Sequence, residues 1–246
     1  MSSLAVTKPL VERNMYAKVD WSIFGTTGDN VAFDGRGGMV HNLVYAVVYN
    51  KNLVKPGDVP KSWTDLLEPR YKDKMMGSSF LLPRLIGALG LSWGEDKAAG
   101  FARDMVSKTG ILITRAPSEN FLQSGERIYA VANFESQSKM WSAAGLAVDF
   151  VIPEPVVMGQ FYAAVMDKAP HPNAAALLAG YATTPEGKRD AEAYNHEGDY
   201  RKGSGHPLAA KIHAPGNVVI GDRLEEMDQR DALIAKMSPI IAGQAR

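Results

Sequence analysis

Residues 161–187 read FYAAVMDKAPHPNAAALLAGYATTPEG and indicate a strand followed by two helices. Residues 161–166 form a short apolar run with aromatic and β-branched members, which predicts a strand. Pro172 suits the first turn of a helix, because its missing N–H would have no partner there. Thr184 before Pro185 starts a second helix in the same way, with a hydroxyl as its cap.

The rest of the chain continues this alternation. Residues 43–49 (LVYAVVY) are apolar on both faces, which predicts a buried strand, and residues 20–38 are rich in turn formers, which predicts a loop. Residues 62–65 (SWTD) form a capping box that starts a short helix. A longer helix is predicted from the apolar period of Ala98, Phe101, Ala102, Met105 and Val106, and further strands are predicted at 111–113, 128–132 and 148–152. Alternating strands and helices predict an α/β fold.

Composition narrows the classes of partner. The 246 residues carry 27 Lys and Arg against 27 Asp and Glu, so no net field favours nucleic acid or an anionic membrane. Because the chain has no cysteine, disulfides, thiolate metal sites and a cysteine nucleophile are excluded. No apolar run approaches the roughly 20 residues that span a bilayer. We therefore expect a small-molecule ligand and no nucleic-acid partner.

Motifs that would indicate an enzyme are absent from the sequence. Neither the hydrolase elbow G-x-S-x-G nor the phosphate loop G-x-x-x-x-G-K-[ST] occurs. The histidines never take the H-E-x-x-H form of a zinc site, and we interpret His196 with Glu197 and Asp199 as a solvated turn in preference to a metal site. We predict no catalytic residues, no metal and no cofactor.

Four segments, in order, carry a family resemblance. They are YAVVYN at 45–50 with PKSWTDLL at 60–67, FLQSGE at 121–126, DFVIPEP at 149–155, and AAVMDKAPHPNAA at 163–175 followed by TPEG at 184–187. Together they resemble the bacterial extracellular solute-binding proteins of ABC transporters, in the family that includes ferric, polyamine and thiamine binders. The last segment is the most specific of the four.

This resemblance implies a periplasmic-binding-protein type 2-like α/β fold, with two lobes joined by hinge strands. It places residues 1–48 and 156–246 in a first lobe that is incomplete, and residues 49–155 in the second lobe. The implied function is to capture a small, anionic or zwitterionic solute between the lobes and deliver it to the membrane permease of an ABC transporter in the periplasm. In such proteins the two lobes close around the ligand by a hinge motion.

The amino terminus as it stands has no basic head followed by an apolar core, so we do not expect it to be a secretory signal, and we expect a truncated sequence. An incomplete first lobe would leave apolar surface available for self-association. Two alternatives stay open: a small-molecule transferase or lyase on a similar α/β scaffold, or an interaction module that another chain completes.

Seven residues are candidate ligand contacts. Ser78 and Ser79 stand before an apolar helix, where an anion would meet free N–H groups, although they also suit a simple helix cap. Arg115 follows a strand and is suited to bidentate pairing with a carboxylate or phosphate, although a solvated loop arginine is the alternative.

The other candidates follow later strands. Ferric binders of the family use adjacent tyrosines where this chain has Phe134 and Glu135, so direct iron coordination by two phenolates is not expected. Phe134 is a candidate for stacking on the ligand and Glu135 for pairing with an amine, or both simply pack or face solvent. Gln160 and Tyr162 are candidates to supply an amide and a hydroxyl, or are structural.

Overall fold

The computed structural model describes residues 2–221 and 224–243. Its strands are β1 Ser2–Ser3, β2 Val31–Ala32, β3 Gly37–Asn50, β4 Met75–Ser78, β5 Leu112–Thr114, β6 Tyr129–Phe134, β7 Val148–Val151, β8 Val156–Ala163 and β9 Val219–Gly221. Its α-helices are α1 Leu4–Glu12, α2 Leu81–Trp93, α3 Glu95–Lys108, α4 Ser118–Ser124, α5 Glu135–Ala143, α6 Pro172–Thr183, α7 Pro185–Asn195, α8 Pro207–Ile212 and α9 Met227–Ala242. None of the helices in this described part has the length and apolar character needed to cross a membrane.

The chain forms two compact units. The first unit comprises Met1–Leu43 and Gly159–Ala214, and the second comprises Val44–Met158 and Pro215–Arg246. Strands β3 and β8 each contribute residues to both units. The carboxyl-terminal segment belongs with the second unit in this division, whereas the sequence places it in the first lobe. The lobe boundaries 49 and 155 stay a prediction.

In the first unit, short strands pair around a small apolar core. β2 runs antiparallel to the start of β3, with Val31 opposite Gly38, and the core contains Trp21, Val40 and Ala179. The predicted loop at 20–38 is wrong in part, because a 3₁₀ helix occupies Trp21–Phe24 and β3 already begins at Gly37. Burial of the Trp21 ring, whose Nε1 donates to the Gly35 carbonyl at 2.8 Å, organises this segment.

Gly38 illustrates the physical reason for that correction. A Cβ atom at this position would lie 2.5 Å from Cε3 of Trp21 and 2.7 Å from Cγ2 of Thr183. Glycine is therefore needed here because two side chains approach the strand backbone closely, and its role in a flexible turn is secondary.

In the second unit, five strands form a mixed sheet in the order β7, β3, β6, β4, β5. β4 pairs in parallel with both β5 and β6, and β3 pairs antiparallel with β6 and β7. The pairing of β3 with β6 shifts register between Ala46 and Val48, and Ala132 takes a φ of 60° at this irregularity. Helix α2 packs against α3 and α9, and its buried face includes Leu82, Leu85 and Leu89.

Several local predictions are confirmed. The 43–49 strand lies within β3, the capping box of Ser62 and Asp65 starts a 3₁₀ helix at Trp63–Leu67, and the helix predicted around Phe101 is α3. The strand predicted at 161–166 is instead β8, which starts earlier and ends at Ala163. Both predicted helices of the opening stretch exist as α6 and α7.

Candidate functional site

The predicted contacts of the second unit lie at one edge of its sheet. Ser78 is the last residue of β4 and pairs in register with Thr114, the last residue of β5, directly before Arg115. Phe134 is the last residue of β6, which runs parallel to β4 on its other side. The carboxyl ends of the three parallel strands therefore place Ser78, Arg115 and Phe134 at the same edge, which is where open α/β sheets bind ligands.

Ser78 and Ser79 connect β4 to the first turn of α2. The Ser78 Oγ accepts hydrogen bonds from the N–H groups of Phe80 and Leu81, at 3.2 and 3.3 Å, and the Ser79 N–H donates to the Thr114 carbonyl at 3.1 Å. Ser78 thus satisfies two N–H groups at the start of the helix, which is close to the structural alternative. Its hydroxyl proton and the Ser79 hydroxyl are the groups that this turn offers to an anion, together with the positive end of the helix dipole.

Arg115 lies on the exposed turn after β5. The Thr114 Oγ1 accepts the Ala116 N–H at 3.0 Å and fixes this turn. Within residues 2–221 and 224–243, the Arg115 guanidinium makes no hydrogen bond or ion pair. Its five N–H donors are therefore available to a planar carboxylate or a phosphate.

Phe134 and Glu135 have intramolecular partners. The Phe134 ring packs against the Tyr45 ring with 4.8 Å between centroids and an interplanar angle of 52°. Glu135 is fully buried, its Oε2 accepts the Val44 N–H at 2.9 Å, and its Oε1 lies 4.0 Å from Nζ of Lys139. Glu135 thus fastens α5 to β3, and its pairing with a ligand amine stays a prediction.

Gln160 and Tyr162 belong to the first unit, where they contact each other. The buried Tyr162 hydroxyl donates to Oε1 of Gln160 at 2.5 Å, and its ring meets Phe33 edge-on at 5.7 Å. Burial raises the pKa of Tyr162 to about 12, against the opposing charge of Arg201. The hydroxyl therefore stays protonated at neutral pH and remains a hydrogen-bonding group.

Two arginines that sequence reasoning missed lie near Tyr45 in the second unit. Burial raises the pKa of the Tyr45 hydroxyl, and the charges of Arg230 and Arg84 oppose that rise, which places both cations close to it. The Arg84 guanidinium also lies 3.6 Å above the Phe80 ring and donates to the Phe80 carbonyl at 2.7 Å. The sequence does contain a signal for Arg84 as a candidate site residue, because it is a basic residue only six positions after Ser78. No local signal indicates Arg230, which reaches this place through packing of α9 on α2.

This edge presents hydrogen-bond donors and positive charge. It combines two serine hydroxyls, a helix amino terminus and arginine side chains, and no described serine there contacts a histidine or another general base. In the described part of the chain, no group of three or more His, Asp or Glu side chains is arranged to hold a metal ion.

Comparisons with known proteins identify the family and the fold. A family described as bacterial extracellular solute-binding protein matches residues 8–198. Among solved structures, iron-bound HitA from Pseudomonas aeruginosa is 15% identical with a TM-score of 0.74 over 97% of this chain and 80% of that one. The substrate-binding protein of an Agrobacterium tumefaciens ABC transporter is 12% identical with a TM-score of 0.76, over 96% and 76%. A periplasmic thiamin binding protein is 14% identical with a TM-score of 0.73, over 97% and 76%.

No curated protein sequence matches the chain. The structural neighbours confirm the periplasmic-binding-protein type of α/β fold, and the family match includes residues of both compact units. The chain therefore belongs to the bacterial extracellular solute-binding proteins, and its function is to bind a solute.

Proposed function

We propose that this chain captures a small anionic or zwitterionic solute at the carboxyl edge of β4, β5 and β6 and delivers it to a membrane permease. The observation that carries this proposal is the convergence of Ser78, Ser79 and Arg115 at that edge. Relatives with this fold include iron-bound and thiamin-binding proteins, so the choice of solute rests on the residues of the site.

An anion fits these residues better than a cation. Arg115 is exposed and unpaired in the described structure, and Arg84 and Arg230 add positive charge near Tyr45. Glu135 is the carboxylate predicted for this edge, and its burial under Val44 removes it from the exposed surface. With the negative group buried and the positive group exposed, the edge favours a carboxylate or a phosphonate.

The remaining predicted contacts would shape the rest of the ligand. We assign the partly exposed Phe134 ring to apolar contact with the ligand, and the ligand contacts of Gln160 and Tyr162 stay a prediction. A phenylalanine and a buried glutamate stand where the ferric binders have adjacent tyrosines. An organic solute is therefore favoured over a ferric ion held by two phenolates.

Replacing Arg115 by glutamine tests the proposal. Isothermal titration calorimetry of the purified chain with citrate, phosphate, methylphosphonate and spermidine should give saturable heat for one of the anions and none for spermidine. Arg115→Gln should then weaken that anion about 10- to 100-fold, because a charge-assisted hydrogen bond is worth about 1.5–3 kcal/mol.

The matched control is Arg103→Gln, which changes an exposed arginine on α3 and should leave affinity unchanged. Equal affinities for Arg115→Gln and the wild type would contradict the assignment of Arg115. Saturation by spermidine and by none of the anions would contradict the ligand class. Chemical turnover of a bound compound would favour the transferase or lyase alternative.

We also propose that the chain acts outside the cytoplasmic membrane, in the periplasm, as the family description implies for its members. We propose delivery to the permease of an ABC transporter on the same ground.

A further inference from the structure

A cavity of about 550 Å³ is lined entirely by residues of the first unit, and none of the residues assigned to the proposed function lines it. It is bounded by the turn after the first 3₁₀ helix, the first turns of α7 and the loop that precedes α8. Its volume falls in the range of about 300–1,000 Å³ that is usual for small-molecule sites.

An ion network forms one wall of the cavity. Asp199 Oδ2 lies 3.0 Å from Nζ of Lys188, and Asp199 Oδ1 accepts the Arg201 Nε–H at 2.7 Å. Burial alone would raise the pKa of Asp199, but the hydrogen bond from Arg201 and the charge of Lys188 outweigh it and lower the pKa to about 2. The carboxylate is therefore ionised at neutral pH, and it holds both cations at the wall.

The opposite charges of the cavity do not cancel. His206 Nδ1 accepts the Leu208 N–H at 2.9 Å, and its Nε2 lies 2.6 Å from Oε1 of Glu192. The cationic lining residues Lys188, Arg189 and Arg201 outnumber the anionic Glu192 and Asp199, so the cavity keeps an excess positive charge.

Two polar groups of the lining lack a hydrogen-bond partner in the described part of the chain. Arg189 is exposed and, in the described part of the chain, makes no hydrogen bond or ion pair. Asn30 Oδ1 is buried and accepts no hydrogen bond from any described group. Leaving a buried acceptor unsatisfied is costly, so a ligand that donates a hydrogen bond to Asn30 would relieve that cost.

We propose that this cavity is a second binding site, for a small organic acid that carries a hydroxyl or amino group. Its carboxylate would pair with Arg189 beside the Lys188 and Arg201 wall, and its hydroxyl or ammonium would donate to Asn30 Oδ1. Hydroxy acids and amino acids share this chemistry, and the presence of a donor distinguishes both from simple carboxylates.

Matched pairs of ligands test the site by calorimetry. Malate and succinate differ by one hydroxyl, and glutamate and glutarate differ by one amino group. The titrations use the full chain carrying Arg115→Gln, because this substitution removes the anion contact of the proposed function. Binding that persists in this variant therefore tests the second site separately from the first. Malate or glutamate should saturate the cavity. The matched acid that lacks the hydroxyl or amino group should bind at least about 10-fold more weakly, because a site built to hydrogen-bond that group rejects an analogue without it.

Variants of the two available groups then locate the binding. Adding Arg189→Gln should weaken the preferred acid about 10-fold, and adding Asn30→Leu should bring the two members of the pair to similar affinity. Asn30→Ser serves as the second variant if the leucine chain does not fold, and Arg103→Gln serves as the unaffected control. Absence of saturation by malate and glutamate would overturn the site. Equal binding of the paired acids, or affinities insensitive to Arg189→Gln and to the Asn30 variants, would overturn it as well.

Discussion

Replacing Trp63 by alanine should lower the free energy of unfolding of the second unit by about 3–5 kcal/mol, the usual cost of deleting a buried tryptophan ring. Trp63 is fully buried beside Leu66, and its Nε1 donates to the Pro155 carbonyl at 2.9 Å. The substitution removes this hydrogen bond and leaves a large cavity in the main core of the unit. Urea denaturation followed by circular dichroism measures the loss.

Trp63→Phe is the control for that experiment, because it keeps most of the apolar contact and loses the N–H donor. We expect a smaller cost, of about 1–3 kcal/mol, from the unsatisfied carbonyl and the lost volume. Equal stability of Trp63→Ala and the wild-type chain would show that Trp63 does not pack as described.

Replacing Gly187 by alanine should destabilise the first unit by about 1–3 kcal/mol or more, the usual cost of forcing atoms into a packed site. A Cβ atom at Gly187 would lie 2.1 Å from the carbonyl oxygen and 2.8 Å from the carbonyl carbon of Tyr181, so backbone must move to admit it. The glycine follows the Thr184 cap and lets α7 turn tightly against the end of α6. Thermal unfolding of the variant measures the effect.

Gly100→Ala is the matched control, with the opposite expected sign. Gly100 also lies in a helix, α3, but a Cβ there would meet nothing within 4 Å. Alanine should therefore stabilise the helix by about 0.5–1 kcal/mol, through lower chain entropy in the unfolded state. A destabilised Gly100→Ala chain, or an unaffected Gly187→Ala chain, would contradict the packing described here.

Local signals in the sequence predict much of this fold. The capping box at Ser62, the hydroxyl cap at Thr184 and the apolar period of α3 each depend on neighbours within a few residues, and each appears in the structure. Apolar character alone misleads at Leu177 and Leu178, which keep the helical period of α6 and are nevertheless 66% and 72% exposed. Ala179 and Thr183 form the buried face instead, because the small side chains are the ones that pack closely.

Only part of the candidate site is predictable from the sequence. Ser78, Arg115 and Phe134 follow strands, and the parallel order of these strands brings them to one edge. By contrast, the positions of Arg230 near Tyr45 and of Asn30 and Arg189 in one cavity depend on packing between segments far apart in the sequence. The burial of Glu135 under Val44 is of the same kind, since nothing in residues 134–137 indicates it.

Hydrogen exchange measured with and without saturating ligand tests the central claim most directly. The ligand is the anion that gives saturable heat among citrate, phosphate and methylphosphonate. Binding at the proposed edge should slow exchange in peptides covering residues 78–84 and 114–118, because a ligand stabilises the segments it contacts against local opening. Unchanged exchange in both peptides at saturation, with protection confined to other segments, would contradict the account.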